Sequence, residues 1–103
     1  MVGLLEAGNV LTHAFVIGEL VLGRLPHPSI LHELKKLPRA TVAADDEVLV
    51  LIERNALAGS GIGYVDAHLL AAARLTAGVR LWTRDKRLRA VAERLDLSAN
   101  PLH

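Results

Sequence analysis

The sequence predicts an α/β domain built around a short parallel sheet, and three observations carry that prediction. Short β-like runs at Val10–Thr12, Thr41–Ala44 and Val79–Thr83 alternate with longer stretches whose apolar residues recur at helical spacing. Of the 103 residues 51% are hydrophobic, mostly Leu, Ala and Val, which suffices for one aliphatic core and rules out a disordered chain; the length suits a single domain over 1–103. Asp85 stands just past the carboxyl end of the strand-like run Val79–Thr83, where open α/β sheets gather their ligands.

Taken in order, residues 4–7 read as the tail of a helix closed by Gly8-Asn9, a pair able to adopt positive φ. Val10-Leu11-Thr12 is the first short strand. Phe15, Ile17, Val21, Leu22 and Leu25 recur at helical spacing from Ala14 to about Leu25, and Pro26 ends that helix. Pro28-Ser29 opens a helix through Lys36, stopped by Pro38; Thr41–Ala44 follows as a strand. Asp45 is read as the cap of a helix carrying Val48, Leu49, Leu51, Ile52 and Leu57.

Gly59-Ser60-Gly61-Ile62-Gly63 is a loop whose three glycines let backbone approach something closely; the lysine and spacing of a phosphate loop are absent. Tyr64 to about Ala77 is helical and closed by Gly78, Val79–Thr83 is the best strand, Asp85–Leu95 the last helix, and Leu97-Ser98-Ala99 a final short strand.

Cysteine is absent, which excludes disulfides, zinc–thiolate sites and thiol catalysis and fits a cytoplasmic setting. The net charge of +1 does not announce a nucleic-acid binder, but Arg80, Arg84, Lys86, Arg87, Arg89 and Arg94 crowd the last quarter. Such a face is commonly just solvated; beside a metal site it becomes a contact for phosphates. Every apolar stretch is cut by Glu19, Glu53 or Asp66 well before the ~20 residues of a membrane span, and Met1–Glu6 lacks a signal peptide's basic start.

Three carboxylates lie in apolar surroundings: Glu19 within His13–Gly23, Asp66 within Gly61–Leu70, and Asp85 at the end of Val79–Asp85. A carboxylate withdrawn from water needs a cation, a proton or donors to compensate it, and several converging ones suit a hard cation such as Mg²⁺ or Mn²⁺. Each has a structural alternative. Glu19 could pair with Arg24, Asp66 could serve the first turn of its helix, and Thr83 or Asp85 could cap the last one. His13, His27, His32 and His68 lack metal-ligand spacing, no nucleophile elbow is present, and Trp82 reads as core.

The segments Val10–Leu20, Gly61–Leu70 and Leu81–Leu88 resemble three blocks of the PIN-domain ribonucleases, and most closely the VapC-type toxins of bacterial toxin–antitoxin pairs. The resemblance runs from about Leu4 to Leu97. It implies a three-layer α/β/α fold and a metal-dependent endoribonuclease acting on single-stranded or loop RNA. Glu19, Asp66 and Asp85 match family acids that hold Mg²⁺ or Mn²⁺, and Thr83 matches a supporting hydroxyl. Arg84, Lys86 and Arg87 are the nearest candidates for the RNA backbone. An antitoxin partner and a homodimer are implied as well.

One departure stands out. The family's sheet begins with a central strand ending in an Asp-Thr-Ser-like acid, between the strands at Val10–Thr12 and Val79–Thr83. This sequence starts partway into what should be the first helix, so that strand and part of the helix, on the order of twenty residues, are expected to be missing and two inner edges left unpaired. A misassigned start, a truncated gene, or another chain filling the gap would each account for it. The expected activity is therefore impaired. The rival reading is an inactive relic that keeps only a protein-binding or dimerisation role.

Overall fold

The computed structural model describes residues 2–6, 9–23 and 28–101. The expected gap in the sheet is filled from within the chain. Val2–Glu6 (β1), read from sequence as the end of a helix, is an extended strand between Asn9–Leu11 (β2) and Val79–Thr83 (β3), in the order β2-β1-β3. Two flanking strands present rows of unpaired N–H and C=O groups, and satisfying them outweighs the weak local helix preference of a short apolar segment.

The parallel pairing expected for the sheet is corrected here. β1 pairs with β2 through Leu4↔Leu11, Leu5↔Val10 and Glu6↔Asn9, so only residues 7 and 8 separate the paired ends and the two strands must be antiparallel. β1 is also antiparallel to β3, from Val2↔Thr83 to Glu6↔Val79. β2 and β3 consequently point the same way, as a parallel sheet would have them. Beyond each lies a single parallel bridge, Thr12↔Arg39 on one side and Leu81↔Ser98 on the other.

The bridge at Ser98 realises the short final strand, held by Leu81 N–H to the Leu97 carbonyl and Ala99 N–H to the Leu81 carbonyl, both at 2.7 Å. The strand expected at Thr41–Ala44 does not form. Pairing falls earlier, where Thr12 N–H donates to the Pro38 carbonyl and Ala40 N–H to the Thr12 carbonyl, and residues 41–44 lead into the next helix.

The helices follow the sequence closely: Ala14–Leu22 (α1), Pro28–Lys36 (α2), Asp45–Arg54 (α3), Tyr64–Leu75 (α4) and Lys86–Arg94 (α5). The expected stop at Pro26, the partner Arg24 and the cap residue Gly8 lie outside the described residues, while Asn9 begins β2. Ala44, not Asp45, is the N-cap of α3; Glu47 reaches back to accept from the Ala44 N–H at 2.9 Å.

α4 is the buried spine. Ala67–Ala73 are all inaccessible, and its alanines allow close approach to β3 and to α3. Leu4, Leu81 and Leu88 join it in the core. Along β3, Val79, Leu81 and Thr83 face inward, Arg80 is exposed and Trp82 half-buried, so Trp82 is a flank of the core and not part of it.

Candidate functional site

The carboxyl end of β3 organises the site. Thr83 is 2% exposed, and its Oγ1 accepts the Asp85 N–H at 3.1 Å. Asp85 Oδ1 in turn accepts from Arg87 N at 2.9 Å and Leu88 N at 3.1 Å, so Asp85 does cap α5 as the plain structural alternative required. That leaves Asp85 Oδ2 outside the cap.

Asp66 also serves its own helix. Its Oδ2 accepts the Gly63 N–H at 3.3 Å, the third-residue half of a capping box. It shares a cavity of about 580 Å³ with Glu19, bounded further by Val16, Leu20, Gly63 and Tyr64. Val16, Glu19 and Leu20 are spaced i, i+3, i+4 and therefore lie on one face of α1.

Electrostatics ties the third acid to these two. Burial raises the Asp66 carboxyl above the usual aspartate range, and the charges of Asp85 and Glu19 raise it further, against the opposing pull of the Gly63 N–H. Only Asp66 is half-buried. Glu19 and Asp85 are exposed, which corrects the expectation of apolar surroundings for all three.

The three carboxylates are donors of the kind a hard cation takes, and burial, then the charges of Asp85 and Glu19, disfavour the ionised form of Asp66, a state that a cation relieves. Among the described residues no three His, Asp or Glu side chains are grouped to hold an ion by themselves. An open site of this kind suits a hard divalent cation that keeps part of its water shell.

Tyr64, at the mouth of the cavity, was not singled out by sequence. Its hydroxyl donates to Asp45 Oδ1 at 3.0 Å, and the same oxygen lies 3.2 Å from His68 Nε2. Because a carboxylate only accepts, this places the proton of neutral His68 on Nε2. Burial, the bond to Asp45 and the charges of Asp45 and Asp46 raise the Tyr64 hydroxyl above its ordinary value. His68 is 2% exposed, its ring packed against Phe15 with centroids 4.4 Å apart.

A second residue missed by sequence is Asn100. Its side-chain oxygen accepts from Thr83 N at 3.1 Å, and its nitrogen donates to the Thr83 carbonyl at 2.9 Å, clamping the end of β3. Near that end stand the basic candidates. Arg84 lies 5.8 Å over the Trp82 ring, while Lys86 and Arg87 have no ion pair among the described residues.

A scan of protein families matches residues 1–94 to the PIN domain. Two curated relatives, both named Ribonuclease VapC32 and from two strains of Mycobacterium tuberculosis, are each 46% identical over 86 residues, covering 82% of this chain and 67% of theirs. No solved structure gives a significant match.

Proposed function

From the premise that the chain belongs to the PIN-domain family, we propose that it is a VapC-type endoribonuclease that hydrolyses RNA phosphodiester bonds with the help of Mg²⁺ or Mn²⁺. The observation that carries this reading is the cavity that Glu19 and Asp66 share, next to the carboxyl end of β3 where Asp85 stands, with the charges of Glu19 and Asp85 both acting on the Asp66 carboxyl. In this reading Glu19, Asp66 and Asp85 would hold the cation with water completing its shell, and Thr83 and Asn100 position Asp85. A divalent cation bound there supplies Lewis acidity at the scissile phosphate and lowers the pKa of an attacking water.

The chain's own contributions are distinct. Val16 and Leu20 limit water on one side of the acids, and Tyr64 frames the mouth. Arg84, Lys86 and Arg87 hold the RNA backbone, which positions substrate without reading bases. β1 adds no carboxylate to this pole: Glu6 pairs with Asn9 and lies opposite Val79, at the other end of β3. An antitoxin partner, a homodimer and a cytoplasmic setting belong to the same proposal; among the described residues no helix is long and apolar enough to cross a membrane.

The test is cleavage of single-stranded RNA in Mn²⁺, in Mg²⁺ and in EDTA. Metal-dependent products that disappear in Asp66→Asn support the proposal. Products that persist in EDTA or in that variant refute it.

A further inference from the structure

A second cavity, of about 530 Å³, opens between the glycine loop and α5, and no acidic side chain lines it. We propose that it binds a phosphate group of single-stranded RNA, one flanking the phosphodiester that lies at the acids. The inference rests on the ribonuclease reading and adds to it a discrete subsite with new members, Ser60 and Arg94.

Three cations border this cavity: Lys86, Arg87 and Arg94. Lys86 and Arg94 are eight residues apart on α5, about 12 Å along the helix axis, so positive charge extends away from Asp85 as a track. The side of that track is set by Gly61, which has a φ of +87°. A Cβ there would stand 2.6 Å from Arg87 Cδ and 3.2 Å from both its Nε and Nη1. The close approach that the glycine-rich loop predicts is thus to an arginine side chain, laid along bare backbone. Packing on one side narrows the range the exposed guanidinium can sample and so reduces the entropy lost on binding.

Ser60 adds an uncommitted donor. Its backbone N–H is bonded to the Leu57 carbonyl at 3.0 Å, but its hydroxyl is buried and has no partner among the described residues. A buried hydroxyl without a partner is costly, and a turn about χ1 toward the cavity would let a phosphate oxygen accept from it. At the far end Arg94 Nη2 donates to the Asn55 carbonyl at 2.9 Å, which anchors one arm of the fork.

Charged side chains and a hydroxyl converge on one concave surface, and the cations can only donate. That chemistry selects an anion with several acceptor oxygens, and a phosphodiester chain passing Asp85 supplies one at each step. Free phosphate offers the same oxygens, and an acidic peptide offers carboxylates; both are alternatives that the experiment separates.

The full chain is labelled with ¹⁵N and kept in EDTA, so that RNA is bound without being cut. Inorganic phosphate, a short single-stranded RNA and a glutamate peptide are titrated in turn while the Ser60, Gly61 and Arg87 amides are followed. RNA affinity is measured in parallel by fluorescence anisotropy over a range of salt. Arg94→Gln should weaken RNA binding about fivefold at low salt, the upper range for an exposed ion pair. It should also flatten the log–log salt slope by about 0.7, the share of one phosphate contact on a single strand.

Arg94→Lys should keep the slope, which separates loss of charge from damage to the fold. Ser60→Ala should weaken binding with the slope unchanged, and Arg74→Gln, at the distant end of α4, should change affinity by less than about twofold. RNA shifting the three amides at lower concentration than phosphate supports the subsite. Shifts with phosphate alone or with the peptide alone overturn it. If wild type binds and cuts RNA while Ser60→Ala and Arg94→Gln bind as wild type, the subsite is wrong and the ribonuclease reading survives. A wild type that neither binds nor cuts removes both.

Discussion

Leu4→Ala probes whether β1 is the central strand. Leu4 is 1% exposed and lies between Leu11 and Leu81 across the two neighbouring strands, with Leu81 fully buried. The substitution removes three carbons, at ~0.8 kcal/mol each about 2.4 kcal/mol of transfer free energy. Strands on both sides prevent the site from collapsing, so a cavity contribution brings the cost to about 3–4 kcal/mol. In a domain of roughly 100 residues that lowers the melting temperature by roughly 15–25 °C. Leu5→Ala, on the opposite face beside Arg80 and half-buried, should cost about 1 kcal/mol. Urea unfolding followed by circular dichroism measures both, with an unchanged m-value confirming that the native state is the same. A Leu4→Ala protein within about 0.5 kcal/mol of wild type, the range of ordinary surface changes, would refute the placement of β1.

Three further outcomes are expected. The Asp66 carboxyl is raised in the folded state, so the stability it gives the metal-free protein is full below its unfolded pKa and is lost as pH rises through the folded value. Asp66→Asn should abolish that decline in melts across pH, and RNA cleavage should fall by at least about 10²-fold, to the background seen in EDTA. His13 accepts from Phe15 N through Nδ1 at 3.1 Å, and burial, then the nearby His68, lower its pKa. Its contribution is therefore present above the unfolded value of about 6.5 and lost as pH falls through the folded one; His13→Asn should flatten the acid limb of melting temperature against pH. Asn100→Ala should cost about 1–2 kcal/mol by urea unfolding, because it strips both partners from the Thr83 backbone.

The sequence made the helices legible because each carries its own punctuation: Pro28 at a start, Gly63 and Asp66 at a capping box, Asp85 at an N-cap. β3 was equally plain from its apolar alternation. β1 was not, since Leu4-Leu5-Glu6 has no local signal that distinguishes a strand from a helix end; its state is decided by partners about five and 80 residues away. The strand expected at 41–44 has β-branched composition, but the pairing on that side falls at Pro38 and Ala40 and leaves residues 41–44 beyond it.

At the site, Asp66 and Asp85 could be located from spacing, and so could their capping roles. Their electrostatic relation to Glu19 depends on how α1 meets α4, which no spacing in one chain reveals. Tyr64 and Asn100 were obscured because their partners, Asp45 and Thr83, lie 19 and 17 residues away. Tyr64's position just before a capping Asp was a usable hint. Asn100 sits in a tail with nothing to mark it.

The pairing of Val2 with Thr83, and the clamp of Asn100 on the same residue, have a practical corollary for handling this protein. Both extremities of the described fold reach the doorstep of the acids. An oligohistidine tag fused at either one would deliver imidazoles, which are themselves ligands for transition metals, to the spot where manganese dependence is to be measured. Titrations and cleavage assays therefore call for tag-free material.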